Sequence, residues 1–168
     1  MPKIQRFLFL ILFLTCSFIL KGQEKEYNGL LNKAFEALAE DNSSSAIDYT
    51  EEAFKWAFKR GDTYKMVIAK STMGYIGMEV NDYESSYINY SDALEYLQKS
   101  DTVDLYNKMA ILRNLAFIKS VYSDYKMATV FYKEAYEAAK TYIRRYPDLA
   151  KENGDLSLLV DLPYFMAM

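Results

Sequence analysis

Residues 73–97 have the sequence MGYIGMEVNDYESSYINYSDALEYL. Within it the small residues Gly74, Ser86 and Ala93 are 12 and then 7 positions apart. Two further sets of small residues have the same spacing, one 40 residues earlier and one 42 residues later: Ala34, Ala46 and Ala53, then Ala116, Ala128 and Ala135. Because antiparallel helices approach closely only where their side chains are small, this recurrence predicts three similar helix pairs.

The residues around these small positions favour helices over strands. Apolar side chains recur with the helical period of 3.6, and only six Gly and three Pro occur in the chain, too few for the frequent turns of an all-β fold. Asp41, Asn81 and Ser123 each follow the first small residue of a set by seven positions. Asn and Asp tolerate a left-handed backbone and cap a following helix. The pattern predicts helices near residues 25–40, 44–60, 64–80, 83–99, 103–122 and 125–146.

This pattern resembles the tetratricopeptide repeat, a helix–turn–helix unit with a usual period of about 34 residues. The clearest matches are in the second and third units: Met73-Gly74-Tyr75, Asp82-Tyr83, Ser86, Tyr90 and Ala93, then Asn114-Leu115-Ala116, Tyr125, Ala128, Tyr132 and Ala135. The resemblance covers roughly residues 24–146. It implies an all-α fold, a right-handed α-solenoid of about three antiparallel helix pairs. The alternative is an ordinary six-helix bundle in which the alanines merely pack.

The repeats also depart from the family pattern. Each unit is 6 to 8 residues longer than usual, which corresponds to about one extra turn on each helix. Leu30, Lys70 and Leu112 replace the first-helix aromatic residue, and the closing proline is absent from each unit. These features are similar to the long-period exported repeats of Bacteroidota, which often precede signalling modules.

The N-terminus has a different composition. Lys3 and Arg6 precede an uncharged run at residues 7–20, which as a helix would span about 21 Å, less than the roughly 30 Å of a bilayer's hydrocarbon core. This pattern predicts a secretory signal peptide that is cleaved before Gln23, and therefore export to the periplasm or cell envelope. An uncleaved anchor and lipid attachment at Cys16 are the alternatives.

These observations predict three segments. A signal peptide at 1–22 precedes a helical-repeat domain at 23–146, with repeats near 27–62, 67–102 and 109–146. Pro147 is expected to end the last helix. The remaining segment, 147–168, is rich in apolar residues, so it either covers the last pair or begins a truncated further repeat.

The side chains that common enzymes need are missing. The chain has no histidine, which excludes Ser-His-Asp and Cys-His arrangements and His-containing zinc sites. Its one cysteine, Cys16, lies in the predicted signal peptide. The chain has no glycine-rich phosphate-binding motif. We expect acidic pairs such as Glu51 and Glu52 to be solvated. We therefore predict no catalytic site, no metal and no cofactor.

Charge also restricts the choice of partner. With residues 1–22 removed, 20 basic residues fall to 17 while all 23 acidic residues remain, so the net charge becomes −6. This balance argues against nucleic acid as a partner. Unusually, the chain contains 16 tyrosines, and we expect most of them to pack in the core rather than to bind sugar.

The resemblance implies a concave side formed by the first helix of each pair, which in tetratricopeptide proteins commonly binds a peptide. The candidate partner-binding residues on this side are Phe35, Leu38, Ser71, Tyr75, Met78, Arg113 and Phe117. We expect Phe35, Tyr75, Met78 and Phe117 to form a continuous apolar strip in which Arg113 is the one cation. Such a surface suits an extended or helical segment with apolar side chains.

One known role of the family is excluded by the residues on this side. Family members that bind chaperone tails use a clamp of Lys, Asn, Asn, Lys and Arg. The corresponding positions in this chain are Leu31, Phe35, Thr72, Ala110 and Asn114, which do not form that clamp.

The sequence therefore favours a non-catalytic binding module outside the cytoplasm, either a scaffold or the sensory part of a signalling system. Its expected partner is a protein or peptide. Membrane contact is expected only through an uncleaved signal or a lipid anchor. The alternative is a structural or assembly protein that oligomerises through its apolar ends.

Overall fold

Helices make up most of the computed structural model, which describes residues 24–100, 104–157 and 159. The helices are α1 (24–39), α2 (Ser43–Arg60), α3 (Thr63–Glu79), α4 (Tyr83–Lys99), α5 (Leu105–Val121), α6 (Tyr125–Arg145) and α7 (Pro147–Glu152), followed by a 3-10 turn at Asp155–Ser157. No strand occurs in these ranges. The all-α prediction is confirmed, and the ends of the six long helices agree with the predicted ends to within two residues. The predicted signal peptide and Cys16 lie outside the described residues.

The turns inside the three helix pairs share one backbone conformation. Asp41, Asn81 and Ser123 have φ angles of 58°, 59° and 60°, in the left-handed region, as predicted. Their predicted capping role is wrong, because the next residue in each turn caps the following helix. These N-caps are Asn42, Asp82 and Asp124, whose side chains accept hydrogen bonds from backbone N–H groups three residues later. An N-cap needs a non-helical backbone from which its side chain reaches the N–H groups of the first turn, and the left-handed residue before it only reverses the chain.

The nine small residues that define the repeat are all buried. The closest approach occurs between α3 and α4. A Cβ atom at Gly74 would lie 2.8 Å from the ring of Tyr90, and one at Gly77 would lie 2.5 Å from Ser86 Oγ. The packing of this pair therefore depends on residues without side chains.

The helices pack in chain order, each against its neighbours in sequence. Buried clusters follow one another from α1–α3, through α3–α5, to α5–α6. Alternate helices also touch: Tyr27 Oη of α1 donates to Lys65 O of α3 at 2.8 Å, and the rings of Phe54 in α2 and Tyr96 in α4 are 5.9 Å apart. Successive helix pairs therefore stack on each other, an arrangement consistent with an α-solenoid.

The chain turns at the end of the third pair. Helix α6 ends before Pro147, which opens the short helix α7. Ala150 of α7 is fully buried, and Leu159 packs against the α5–α6 cluster. The described part of the C-terminal segment therefore covers one side of the third pair.

Candidate functional site

The first helices of the three pairs, α1, α3 and α5, line a cleft of about 520 Å³. Three exposed aromatic residues line it, one from each of these helices: Phe35, Tyr75 and Tyr106 are 46%, 42% and 47% exposed. The other lining residues are Ile68, Ser71, Thr72, Tyr90, Asn107, Ala110, Ile111 and Asn114. None of these lining residues is charged, although a quarter of the whole chain is. We call this surface the concave cleft.

Hydrogen bonds fix several polar groups of the concave cleft. Burial raises the pKa of Tyr90, while a hydrogen bond with Asn114 and the charge of Arg113 act against that rise. A hydrogen bond with Glu79 raises the pKa of Tyr75. Both phenols are therefore neutral near pH 7, and the cleft can offer aromatic faces and hydroxyl groups without charge.

One polar atom of the concave cleft lacks a partner. Ser71 Oγ is buried and makes no hydrogen bond with any residue that the structure describes. A buried hydroxyl without a partner destabilises a protein by about 1–3 kcal/mol. Because this oxygen has almost no solvent-accessible surface, a guest in the cleft cannot contact it directly.

The structure brings three of the predicted site residues together. Phe35, Ser71 and Tyr75 all line the concave cleft, and the rings of Phe35 and Tyr75 are 6.4 Å apart. They come from equivalent or neighbouring positions of successive first helices, so their meeting follows from the stacking of the pairs.

Other predicted residues have different neighbours. Leu38 and Met78 are half-buried and pack against core clusters, and Phe117 packs against Tyr83 of α4 with ring centroids 6.2 Å apart. Of the four residues of the expected strip, Phe35 and Tyr75 are in contact, Met78 is half-buried and Phe117 is exposed. Met78 follows Tyr75 by three residues, a rotation of about 60° around a helix with 3.6 residues per turn, which turns it toward the core.

Arg113 lies beside the concave cleft. Its side chain is exposed and forms no ion pair within the described ranges. Its charge acts on the phenols of Tyr90 and Tyr132, which places it close to both. Arg113 is therefore a cation at the border of an uncharged surface, where a guest carboxylate or carbonyl could accept from it.

Sequence reasoning missed Tyr106, Asn107 and the role of Asn114 in the concave cleft. A signal was present, because Tyr64 and Tyr106 are 42 residues apart, the offset of the second and third units, and both are exposed. Most of the described tyrosines pack in or against the core, as expected: Tyr27, Tyr90, Tyr132 and Tyr142 are buried, and Tyr49, Tyr83, Tyr87, Tyr96 and Tyr136 pack against buried clusters. The exposed tyrosines are Tyr64, Tyr75, Tyr106, Tyr122, Tyr125 and Tyr146.

Comparisons with protein-family models, curated proteins and solved structures found no match to this chain. Among the described residues, no helix combines the length and apolar character needed to cross a bilayer. The same residues contain no group of three or more His, Cys, Asp or Glu side chains placed to bind a metal ion.

Proposed function

We propose that this protein is a non-catalytic binding module of the tetratricopeptide type, a right-handed α-solenoid that binds an extended or helical segment of another protein. The binding surface is the concave cleft between α1, α3 and α5. The observation that carries this proposal is the row of exposed aromatic rings on three successive first helices. Exposed apolar surface of this kind commonly marks an interaction site, and rigid aromatic side chains supply much of the binding energy in protein interfaces.

The polar groups around the rings support a peptide guest. Asn107 and Asn114 contribute amides to the same cleft, and Arg113 adds one exposed cation at its border. Apolar anchors combined with a few directed polar groups are typical of peptide-binding grooves.

The proposed location is the periplasm or cell envelope, where the module would act as a scaffold or as the sensory part of a signalling system. This part of the proposal depends on the basic start and apolar run of residues 1–22. Sequencing the N-terminus of protein from the native cell tests it. A terminus near Gln23 supports export, whereas an intact Met1 or an acylated Cys16 contradicts the proposed processing.

Assembly through apolar ends has less support. The described C-terminal segment already packs against the third pair. In the first pair, the cleft between α1 and α2 is lined by charged residues, among them Lys25, Lys33 and Lys59. Sedimentation over a range of concentrations distinguishes the two functions, because a stacking protein shows concentration-dependent mass.

Substitutions in the concave cleft test peptide binding. A peptide selected on the purified protein from a display library serves as the probe. Tyr75→Ala and Arg113→Ala are each expected to weaken its binding at least tenfold, since such anchors contribute about 2 kcal/mol or more. Helical content and melting temperature should remain nearly unchanged. Lys126→Ala, an exposed substitution on α6, is the matched control and should retain full affinity.

Two results would contradict this assignment. If the cleft variants retain full affinity and Phe58→Ala on α2 loses it, the binding surface lies on the second helices. If Tyr75→Ala unfolds the protein, that tyrosine is a structural residue.

A further inference from the structure

A second cleft, of about 730 Å³, lies between α1 and α2. Two of its lining residues, Leu30 and Trp56, also pack in or against the buried cluster that α1 and α2 share with α3. Five basic residues line it, against the two acidic residues Glu26 and Glu52: Lys25, Lys33, Lys55, Lys59 and Arg60. The whole chain has the reverse balance, with 20 basic and 23 acidic residues. Two of these cations already have acidic partners, because Lys55 Nζ lies 3.1 Å from Glu51 Oε2 and Arg60 Nη2 lies 3.9 Å from Glu26 Oε2. The positive excess of this basic cleft therefore comes mainly from Lys25, Lys33 and Lys59.

One cation of the basic cleft is held in a fixed orientation. The guanidinium carbon of Arg60 lies 3.8 Å from the ring centroid of Trp56, and Arg60 Nη1 donates to Trp56 O at 3.2 Å. The indole is fixed in turn, because Trp56 Nε1 donates to Glu26 Oε2 at 2.7 Å. A cation that is ordered before binding loses less conformational entropy when an anion arrives.

Gly29 supplies an independent observation. Gly74 and Gly77 occupy helix positions where a Cβ would meet α4, but a Cβ at Gly29 would have nothing within 4 Å. A glycine inside a helix is less favourable than alanine, and no packing contact explains its presence at Gly29. Gly29 lines the basic cleft one helical turn from both Lys25 and Lys33. The missing side chain leaves the cleft open at its middle.

We infer that the basic cleft binds a short acidic peptide segment. Lys25, Gly29 and Lys33 are four residues apart on α1, so they lie on one face and the two lysines are about 12 Å apart along the axis. Lys55 and Lys59 line the α2 wall. An extended peptide advances about 3.3 Å per residue, so three or four residues with carboxylates on both sides fit between the two rows of cations. Leu30 and Trp56 add apolar contact area.

The size of the basic cleft favours a short peptide over a nucleic acid. A nucleic acid carries its phosphates far beyond 12 Å, to regions where this protein is acidic overall. Charges farther apart than about 10 Å are screened at moderate salt, so the basic cleft attracts only a local group of negative charges. Glu52 at its edge opposes a uniformly charged polyanion.

The only tryptophan of the chain, Trp56, lines this cleft and provides the measurement. The probe is a blocked hexapeptide of alternating glutamate and leucine, and the comparison peptide has glutamine in place of glutamate. We expect the glutamate peptide to cause a saturable change in the fluorescence emission of Trp56. The affinity for this peptide should fall at least tenfold between about 50 and 300 mM salt. The glutamine peptide should give no saturable change.

Gly29→Gln is the decisive variant. The new side chain fills the basic cleft and should weaken binding of the glutamate peptide at least tenfold. The melting temperature should stay the same or rise, because glutamine is a better helix former than glycine. Lys25→Gln combined with Lys59→Gln should weaken binding by a similar factor. Lys126→Gln removes an exposed lysine elsewhere and should have no effect.

Several results would overturn the inference: no binding by the wild type at millimolar peptide, full affinity in Gly29→Gln, or equal affinity for the glutamine peptide. A single-stranded oligonucleotide of equal charge that binds more tightly would reassign the cleft to nucleic acid. Tyr75→Ala should leave binding of the glutamate peptide unchanged. The test of the basic cleft can therefore fail or succeed independently of the test of the concave cleft.

Discussion

Replacement of Gly77 by alanine measures how closely α3 and α4 approach. A Cβ at Gly77 would lie 2.5 Å from Ser86 Oγ and 3.1 Å from the carbonyl oxygen of Asp82. Asp82 N donates to Gly77 O at 2.8 Å, so the first turn of α4 cannot retreat from α3 without weakening that hydrogen bond. The first helix pair has Ala37 and Ala46 at the equivalent positions, both buried, which shows that two alanines fit there.

Two opposing effects set the size of the change. Alanine is a better helix former than glycine by about 1 kcal/mol, whereas overpacking a buried contact typically costs about 1–3 kcal/mol. Gly29→Ala is the matched control, since nothing lies within 4 Å of its new Cβ, and it should stabilise the protein by about 0.5–1 kcal/mol. We expect Gly77→Ala to be less stable than Gly29→Ala by about 1–3 kcal/mol.

A double-mutant cycle with Ser86→Ala isolates the contact. Removing Ser86 Oγ eliminates the shortest of the predicted clashes and recreates the Ala37–Ala46 pair. The coupling free energy should therefore favour the double variant by about 1–2 kcal/mol. Urea unfolding followed by circular dichroism at 222 nm measures all four proteins. If Gly77→Ala stabilises as much as Gly29→Ala, or if the coupling is zero, α3 and α4 do not meet at this point.

Two further predictions concern the turns and the buried tyrosines. Ser123 has a φ of 60°, a conformation that costs a residue with a Cβ about 1–2 kcal/mol, so Ser123→Gly should raise the melting temperature by a few degrees and Ser123→Val should lower it. If Ser123→Val melts at a higher temperature than Ser123→Gly, the backbone at Ser123 is not left-handed. Burial raises the pKa of Tyr27 and Tyr90 above the usual 10.0. The unfolded chain therefore loses these protons first, so stability should be constant below pH 10 and fall above it. Urea midpoints and phenolate absorbance measured across pH 9–12 check this dependence. A urea midpoint that does not change over this pH range would contradict it.

The sequence by itself determined the helices, their pairing and the turns between them. These features depend on neighbours in the chain. Small residues 12 and 7 apart place close contacts at Gly74, Ser86 and Ala93, and each pair reverses direction at a polar residue such as Asn81, which tolerates a left-handed backbone. Burial of all nine small residues follows from the same local spacing.

Which helix faces are exposed, and which residues of different helices meet on them, depends on the tertiary structure. Tyr90 and Tyr106 belong to the same residue type, yet one is buried and the other stands open at the concave cleft. The basic cleft likewise joins α1 and α2 residues that are more than twenty positions apart, such as Lys33 and Lys55. The helical period predicts the direction in which a side chain points from the axis of its own helix. Exposure depends on which other helix lies opposite, and that is set by the stacking of the pairs.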